Sequence, residues 1–444
     1  MPLRTVKELN QITIHDPKTR RLSNLDYEHL SGTTFSRIPP TKGLALVVHQ
    51  QIKKLSPHSN NRRRHQIIPN EILLLIFTFL SPPQLFKILF VCKSWQLILS
   101  DNFLWFQLCA KRGWKGCLKN LNLVHRFSTF HPIATFAHAQ PWYSIYKSLW
   151  RTRNNFLKGN CKAYDLPALR GLLMLGFDDE LCVGVRAGEE GSVCETQTGK
   201  RILQLSGHEG LISAVKFDSE VIISASTDHT LKKWCRLTGE CLNSMDGHEG
   251  EVNALQFTKQ YIVSGAEDST LRVWSYPTGK LLHTLHHEGA VSCLHFDEDN
   301  IASGSTDSTI KLWSRLSERA PKCLMTLAGH TANVYCVQLL QNRLISGSDD
   351  ATIRIWERST GQSMNTLRGH DGGVVCIQAD REKIVSGGVD KTIRIWGWNG
   401  VCYSVLTGHN GSIWSLKFDN SKIFSSSFDE SLRVWDFAEI EDVD

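Results

Sequence analysis

Between residues 221 and 435 the chain repeats one arrangement of apolar and polar positions six times: VIISASTDHTLKKW, YIVSGAEDSTLRVW, NIASGSTDSTIKLW, RLISGSDDATIRIW, KIVSGGVDKTIRIW and KIFSSSFDESLRVW. In each, apolar residues alternate on both sides of a Ser/Asp/Thr/Gly cluster, which predicts two short strands joined by a tight turn. A further apolar alternation precedes each segment, as in AVKF at 214–217. A Thr-Gly turn and another short run follow several of them, as in TGECL at 238–242. Four short strands thus recur in every repeat.

Polar residues keep the same beat. Counted from the closing Trp, a Ser lies ten residues before it, an Asp six and a His twenty-six: His208/Ser224/Asp228/Trp234, His248/Ser264/Asp268/Trp274, His287/Ser303/Asp307/Trp313, His330/Ser346/Asp350/Trp356, His370/Ser386/Asp390/Trp396 and His409/Ser425/Asp429/Trp435. Ser, His and Asp are the residue types of a hydrolase triad. A triad is needed once, and six copies mark a repeat architecture whose polar residues are structural.

Four strands per repeat make one propeller blade, so a mainly β fold is predicted. One more unit fits the register upstream, with Cys194 at the Trp position and Ala168, Gly184 and Gly188 at the His, Ser and Asp positions. It lacks the tetrad yet keeps the strand and turn pattern, which gives seven blades, one degenerate. The last unit runs only nine residues past Trp435. Its fourth strand is expected from within Asn155 to Leu166, closing the ring and leaving no open sheet edge. The GH and Trp signatures over residues 166–444 resemble the WD-repeat family. That resemblance implies that His, Ser, Asp and Trp form a buried hydrogen-bonded chain, and it assigns residues 155–444 to the propeller. Three local features stand out. His286 replaces the usual Gly, from which a slightly strained loop is expected. A longer connection runs through 315–322. Lys232, Arg272, Lys311, Arg354, Arg394 and Arg433 all precede the Trp by two, with stems expected between blades and solvated heads.

Residues 67–109 have helical periodicity instead. Pro69 suits a first helical turn, Ile72, Leu73, Ile76, Phe77 and Leu80 fall on one face, and Ser-Pro-Pro at 81–83 ends it. Leu85, Ile88, Leu89 and Cys92 line a second helix. So small and apolar a unit is expected to dock on another protein. Ile68, Pro69, Glu71, Ile72, Leu73, Ile76, Phe77, Leu80, Leu85, Val91, Cys92 and Trp95 resemble the F-box pattern. The resemblance covers 65–112 and implies a small all-α module holding a Skp-type adaptor and, through it, a cullin. Residues 113–154 then read as a helical linker, with Trp142, Ile145, Tyr146, Leu149 and Trp150 on one stripe.

WD-repeat propellers usually bind partners on the face that carries the GH loops and the Ser-to-Asp turns. One residue before the Asp stand Thr227, Glu267, Thr306, Asp349, Val389 and Phe428; five after the His stand Ser213, Asn253, Ser292, Tyr335, Val375 and Trp414; one after the Asp stand His229, Ser269, Ser308, Ala351, Lys391 and Glu430. No Arg occurs in these sets, so the fork that grips phosphate is missing. Glu251, Glu267, Tyr335, Asp349, Lys391, Trp414, Phe428 and Glu430 are the candidate substrate-binding residues, suited to an unphosphorylated basic segment with an apolar anchor.

Charge sharpens one boundary. Net charge is +6, and residues 1–64 carry twelve Lys/Arg against four Asp/Glu, so a basic leader, expected to be disordered, precedes a nearly neutral body. LysThrArgArg at 18–21 and NNRRRH at 60–65 would serve nuclear import, or nucleic-acid contact if the chain were a chromatin- or RNA-associated propeller. Thirteen Cys residues show no CxxC pair or zinc spacing, and no cofactor or metal is expected. No stretch of eighteen apolar residues and no signal-like start occur, so the expected location is cytoplasm and/or nucleus. Together the two resemblances imply a non-catalytic substrate receptor of a cullin ubiquitin ligase. The alternative is a plain WD-repeat scaffold.

Overall fold

The computed structural model describes Phe77, Leu80, Gln84, Leu85, Leu99, Leu104, Trp105, Leu108 and Cys109, and residues 141–438 apart from 167–168, 170–171, 178–180, 187–190, 196–199 and 315–319. Among the described residues the one long element before the sheets is α1 (Pro141–Lys158), ended by Gly159 at φ 71°, the left-handed conformation that suits glycine at a helix C-terminus. The helix runs four residues past the linker end expected at 154.

Seven four-stranded antiparallel sheets follow, each joined in sequence order except the last. Blade 1 is β2 (Leu172–Phe177), β3 (Leu181–Arg186), β4 (Gly191–Glu195) and β5 (Arg201–Leu205). Blades 2 to 6 repeat this plan over Ile212–Met245, Val252–His286, Val291–Ala328, Val334–Arg368 and Val374–Leu406. Blade 7 takes β26 (Ile413–Phe418), β27 (Lys422–Ser427) and β28 (Leu432–Asp436) from the end of the chain and β1 (Lys162–Asp165) from before blade 1. β1 pairs antiparallel with β28, Ala163 opposite Trp435 and Asp165 opposite Arg433. The closing strand therefore lies inside the segment that the repeat count required. Arg433 Nε donates to Asp165 Oδ1 at 2.6 Å across this seam.

Blade 1 keeps the register without the tetrad. Gly184 pairs with Ser192 just as Ser224 pairs with Lys232, and Cys194 packs with Leu169 and Leu432 where the other blades have Trp. Ala168 and Gly188 lie outside the described residues.

The core sits between blades, where inner faces of neighbouring sheets interleave Val, Ile and Leu side chains around each Trp, as with Ile345, Ile353, Ile355, Val374, Ile384 and Trp396 between blades 5 and 6. α1 joins this core through Phe156, which stacks on Phe437 at 3.8 Å and packs with Val385, Ile395, Leu406 and Trp435. Asn155 Nδ2 donates to the Phe437 carbonyl at 2.8 Å, and Arg153 pairs with Glu382 at 2.7 Å. Earlier on the helix, Tyr146 is fully buried with its ring 5.2 Å from that of Trp105, whose indole N–H donates to the Leu99 carbonyl at 2.6 Å. Of the stripe foreseen on α1, Ile145 and Tyr146 are buried, Tyr146 against Trp105; Phe156, which is not part of that stripe, seats the helix on blades 6 and 7.

Candidate functional site

In all six complete repeats the tetrad forms one hydrogen-bonded chain. The indole N–H of Trp234 donates to Ser224 Oγ, Trp274 to Ser264, Trp313 to Ser303, Trp356 to Ser346, Trp396 to Ser386 and Trp435 to Ser425, all at 2.7–2.9 Å. The Ser oxygen lies 2.7–2.8 Å from His Nε2. His Nδ1 lies 2.8 Å from the Asp carboxylate in four repeats and 3.3 Å in those of His287 and His409. Because a carboxylate only accepts, Nδ1 carries the proton, Ser donates to Nε2, and the bonds between these four side chains are all satisfied. The Asp also receives the hydroxyl and N–H two residues on, as Asp350 does from Thr352, and in five repeats the backbone N–H after the His, as from Thr331. Such a bridge pins the GH loop to the two strands.

Burial decides what these residues can do. Ser224, Ser264, Ser303, Ser346, Ser386 and Ser425 are fully enclosed, and Trp234, Trp274, Trp313, Trp356, Trp396 and Trp435 are buried with them. None of the twelve is a contact residue for a partner or a substrate, and the triad types do no hydrolysis here. Their place in the site is structural: they fix the loops whose neighbouring side chains reach the surface.

The bridges make the ring acid-sensitive. Burial holds His208, His248, His287, His330 and His409 below the ordinary imidazole value, against the pull of their Asp partners. Partial burial works to raise Asp268 and Asp350, but the Thr and His hydrogen bonds and the backbone N–H outweigh it and hold both at about 2. A His with a depressed folded pKa gives stability that is complete above its unfolded value, about 6.5, and is lost as pH falls toward the folded value; the Asp share is lost only below about 4. Thermal unfolding followed across pH should show a midpoint that is level above about pH 7 and falls as pH drops below about 6.5.

Three of the basic residues two before each Trp depart from expectation. The Nε atoms of Arg272, Arg354 and Arg394 are buried without hydrogen-bond partners among the described residues. Their guanidinium groups lie over the glycine of the GH pair: a Cβ at Gly247, Gly329 or Gly369 would meet Arg Nη1 at 2.8, 2.9 and 3.1 Å. Heads expected in solvent are instead seated on glycine and the Trp edge. The His286 repeat has Lys311 in place of the arginine, and its ammonium donates to the His286 carbonyl at 3.1 Å. His286 ends the fourth strand of blade 3 in ordinary extended conformation, with no positive φ, so the expected loop strain is not present.

The position set five after the His, with Glu267, Thr306, Val389 and Phe428 of the set before the Asp, converges on the mouth of the central channel. A cavity of about 570 Å³ is lined there by Glu267, Tyr335, Val375, Val389, Trp414 and Phe428, among others. Trp414 and Phe428 meet edge to face with centroids 5.0 Å apart, and both remain exposed. Two members are already committed: the Ser213 hydroxyl donates to the Val252 carbonyl, and Ser292 to that of Val334, tying each blade to the next. The third set behaves otherwise. His229, Ser269, Ser308, Ala351, Lys391 and Glu430 all have φ of 61–70°, the left-handed third residue of a three-residue hairpin loop. Lys391 and Glu430 are exposed, but with Glu251 and Asp349 they stand outside the residues lining the channel mouth.

Of the twelve F-box positions, Phe77 and Leu85 are buried and Leu80 is half-buried. Phe77 and Leu85 therefore support the module from within instead of presenting a contact surface. Ile68, Pro69, Glu71, Ile72, Leu73, Ile76, Val91, Cys92 and Trp95 lie outside the described residues, as does the 315–319 part of the long connection.

One position set was overlooked in the sequence. Eight residues after the tetrad histidines stand Lys216, Gln256, His295, Gln338, Gln378 and Lys417, and the blade 1 equivalent is Gly176, opposite Val183 as Lys216 is opposite Ile223. The six side chains line the lower channel, a cavity of about 590 Å³. Counting from His to the inner strand would have found it.

A closed ring of seven four-stranded blades, six locked by His–Ser–Trp–Asp bridges, defines a WD-repeat propeller. The WD domain, G-beta repeat model matches residues 199–235, 239–275, 279–314, 321–357, 361–397 and 400–436, and the F-box-like model matches 65–111. The chain belongs to the F-box/WD-repeat proteins. It is 28% identical over 153 residues to an F-box protein of Saccharomyces cerevisiae, covering 31% of this chain and 24% of that protein. It is 30% identical over 169 residues to F-box/WD repeat-containing protein 7 of Drosophila melanogaster, covering 38% and 10%. The matches thus span a quarter or less of these relatives' lengths. Among solved structures it resembles the WD40 β-propeller domain of Doa1, with TM-score 0.54, 26% identity and coverage of 62% and 95%.

Proposed function

We propose that the chain is the substrate-recognition subunit of a Skp–cullin–F-box ubiquitin ligase, binding the adaptor through residues 65–112 and the target protein at the channel mouth. The observation that carries this reading is α1, seated at one end on Trp105 through Tyr146 and at the other on blades 6 and 7 through Phe156. A receptor that catalyses nothing accelerates transfer by proximity, and proximity works only when the target is held at a set distance from the charged conjugating enzyme. A helix packed at both ends supplies that spacing; a flexible scaffold would not need it.

The adaptor contacts are expected among Ile68, Pro69, Glu71, Ile72, Leu73, Ile76, Val91, Cys92 and Trp95. The target side is read by Trp414, Phe428 and Tyr335 as apolar anchors. Around them Glu251, Glu267, Asp349 and Glu430 favour basic residues of an unphosphorylated segment, and Lys391 is the local exception.

Pull-down with a purified Skp-type adaptor tests the first half. The full chain is expected to retain the adaptor, and the Pro69→Ala/Leu73→Ala variant to lose it by about tenfold or more, corresponding to about 1.4 kcal/mol. Phe77 is left intact because its burial would confuse binding with folding. A wild-type chain that retains no adaptor would favour the scaffold.

A further inference from the structure

The lower channel holds an asymmetry that the face-reading residues do not explain. Gln256, Gln338 and Gln378 are each spent on the neighbouring blade. The Gln256 amide donates to the Phe296 carbonyl and accepts the Phe296 N–H at 3.1 and 2.7 Å; Gln338 does the same with Ala379, and Gln378 with Phe418. His295 copies the accepting half, taking the Leu339 N–H on Nδ1 at 3.4 Å. It is held neutral, its pKa pushed down to about 4 by burial and by Lys216. The other two positions at this level are Lys216 and Lys417, on the blades either side of Gly176, which brings no side chain between them.

Lys216 has no hydrogen-bond or ion-pair partner among the described residues. Its side chain is open to the channel, yet the channel wall surrounds it, and that enclosure, with the Lys417 charge beside it, disfavours its ammonium form. Of the carboxylates, Asp218 lines this level, and it is already engaged by Lys259 at 3.0 Å and by the N–H groups of Glu220 and Val221. Lys216 also lines the upper cavity. From the mouth inward the channel therefore runs from acidic loops, through an apolar neck of Trp414, Phe428, Tyr335, Val375 and Val389, to a cationic floor.

We propose that this channel binds a carboxylate carried on an apolar group, with the carboxylate at Lys216 and Lys417, and that a substrate presents it as a free chain end. A C-terminal apolar residue supplies both parts at once, and preceding Lys or Arg residues would meet the acidic loops. A phosphate dianion fits less well. It would have to pass those acidic loops, and at the floor it would find two point charges instead of an arginine fork. This deepens the proposed substrate reading of the mouth, but it is measured on the purified full chain without adaptor, so its failure and a failure of adaptor binding are separate results.

Fluorescence polarisation decides it with a fluorescein-labelled peptide Lys-Arg-Lys-Ser-Leu-Phe bearing a free C-terminus. The free acid should bind at least about tenfold tighter than the C-terminal amide, as expected for loss of one enclosed charge pair. Lys216→Gln/Lys417→Gln should abolish that difference. Glutamine already occupies three positions of this ring, so the variant is expected to unfold at the wild-type temperature, which is checked in parallel. Displacement of the peptide by 3-phenylpropionate would support the site and extend it to free carboxylates. Equal binding of acid and amide, an acid preference that survives the double variant, or tighter binding of a phosphoserine peptide of the same length would each overturn the proposal.

Discussion

A chain that begins at residue 166, lacking α1 and β1, is expected to lose its closed ring. β28 would then expose an unpaired edge, Arg433 would lose Asp165, and the pocket filled by Phe156 between Phe437, Leu406 and Trp435 would stand empty. An open edge invites pairing with other chains. The 166–444 fragment should elute as aggregate in size-exclusion chromatography where 141–444 elutes as a monomer. Within the intact chain, Phe156→Ala alone should cost about 3–5 kcal/mol, because the neighbouring strands hold the cavity open. A monomeric 166–444 fragment with an unchanged unfolding midpoint would mean that β1 only decorates the ring.

Ser346→Ala is expected to be the most damaging loss of a single oxygen. Ser346 Oγ accepts the Trp356 indole N–H at 2.8 Å and donates to His330 Nε2 at 2.8 Å, and all three side chains are buried. Alanine leaves two buried polar groups unpaired, at about 1–3 kcal/mol each, so a loss of about 2–6 kcal/mol should appear in urea unfolding. Hydrolytic assays would be unaffected by the substitution, since the buried oxygen meets no substrate. A change below about 0.5 kcal/mol would show that water takes over both partners.

How far the sequence revealed this molecule depended on how local each constraint is. The bridges were legible because a fully satisfied polar chain needs fixed residue types at fixed spacings, and six copies could not be coincidence. The degenerate blade was legible only by counting, since Gly184 and Cys194 carry no signal themselves. The seat of Phe156 on Phe437 was hidden, because it joins distant parts of the chain through shape alone. So was the bond from the Lys311 ammonium to the His286 carbonyl, which joins neighbouring blades. At the mouth, spacing picked out Glu267, Tyr335, Trp414 and Phe428, which do line one cavity. It did not show that the positions after each Asp share a left-handed backbone set by the turn. The lower ring was present in the spacing and passed unread, because outward-facing turns draw attention before inward-facing strands.

Coupling of an adaptor module to a substrate-reading channel within one chain is the central claim. The most direct test is site-resolved measurement of ubiquitinated lysines in cells expressing wild type, Pro69→Ala/Leu73→Ala or Trp414→Ala/Phe428→Ala. The predicted result is a set of target lysines whose ubiquitination rises with wild type and with neither variant, while the mouth variant still recovers adaptor and cullin. An identical lysine profile in all three, with the wild-type protein folded and abundant, would contradict the receptor role.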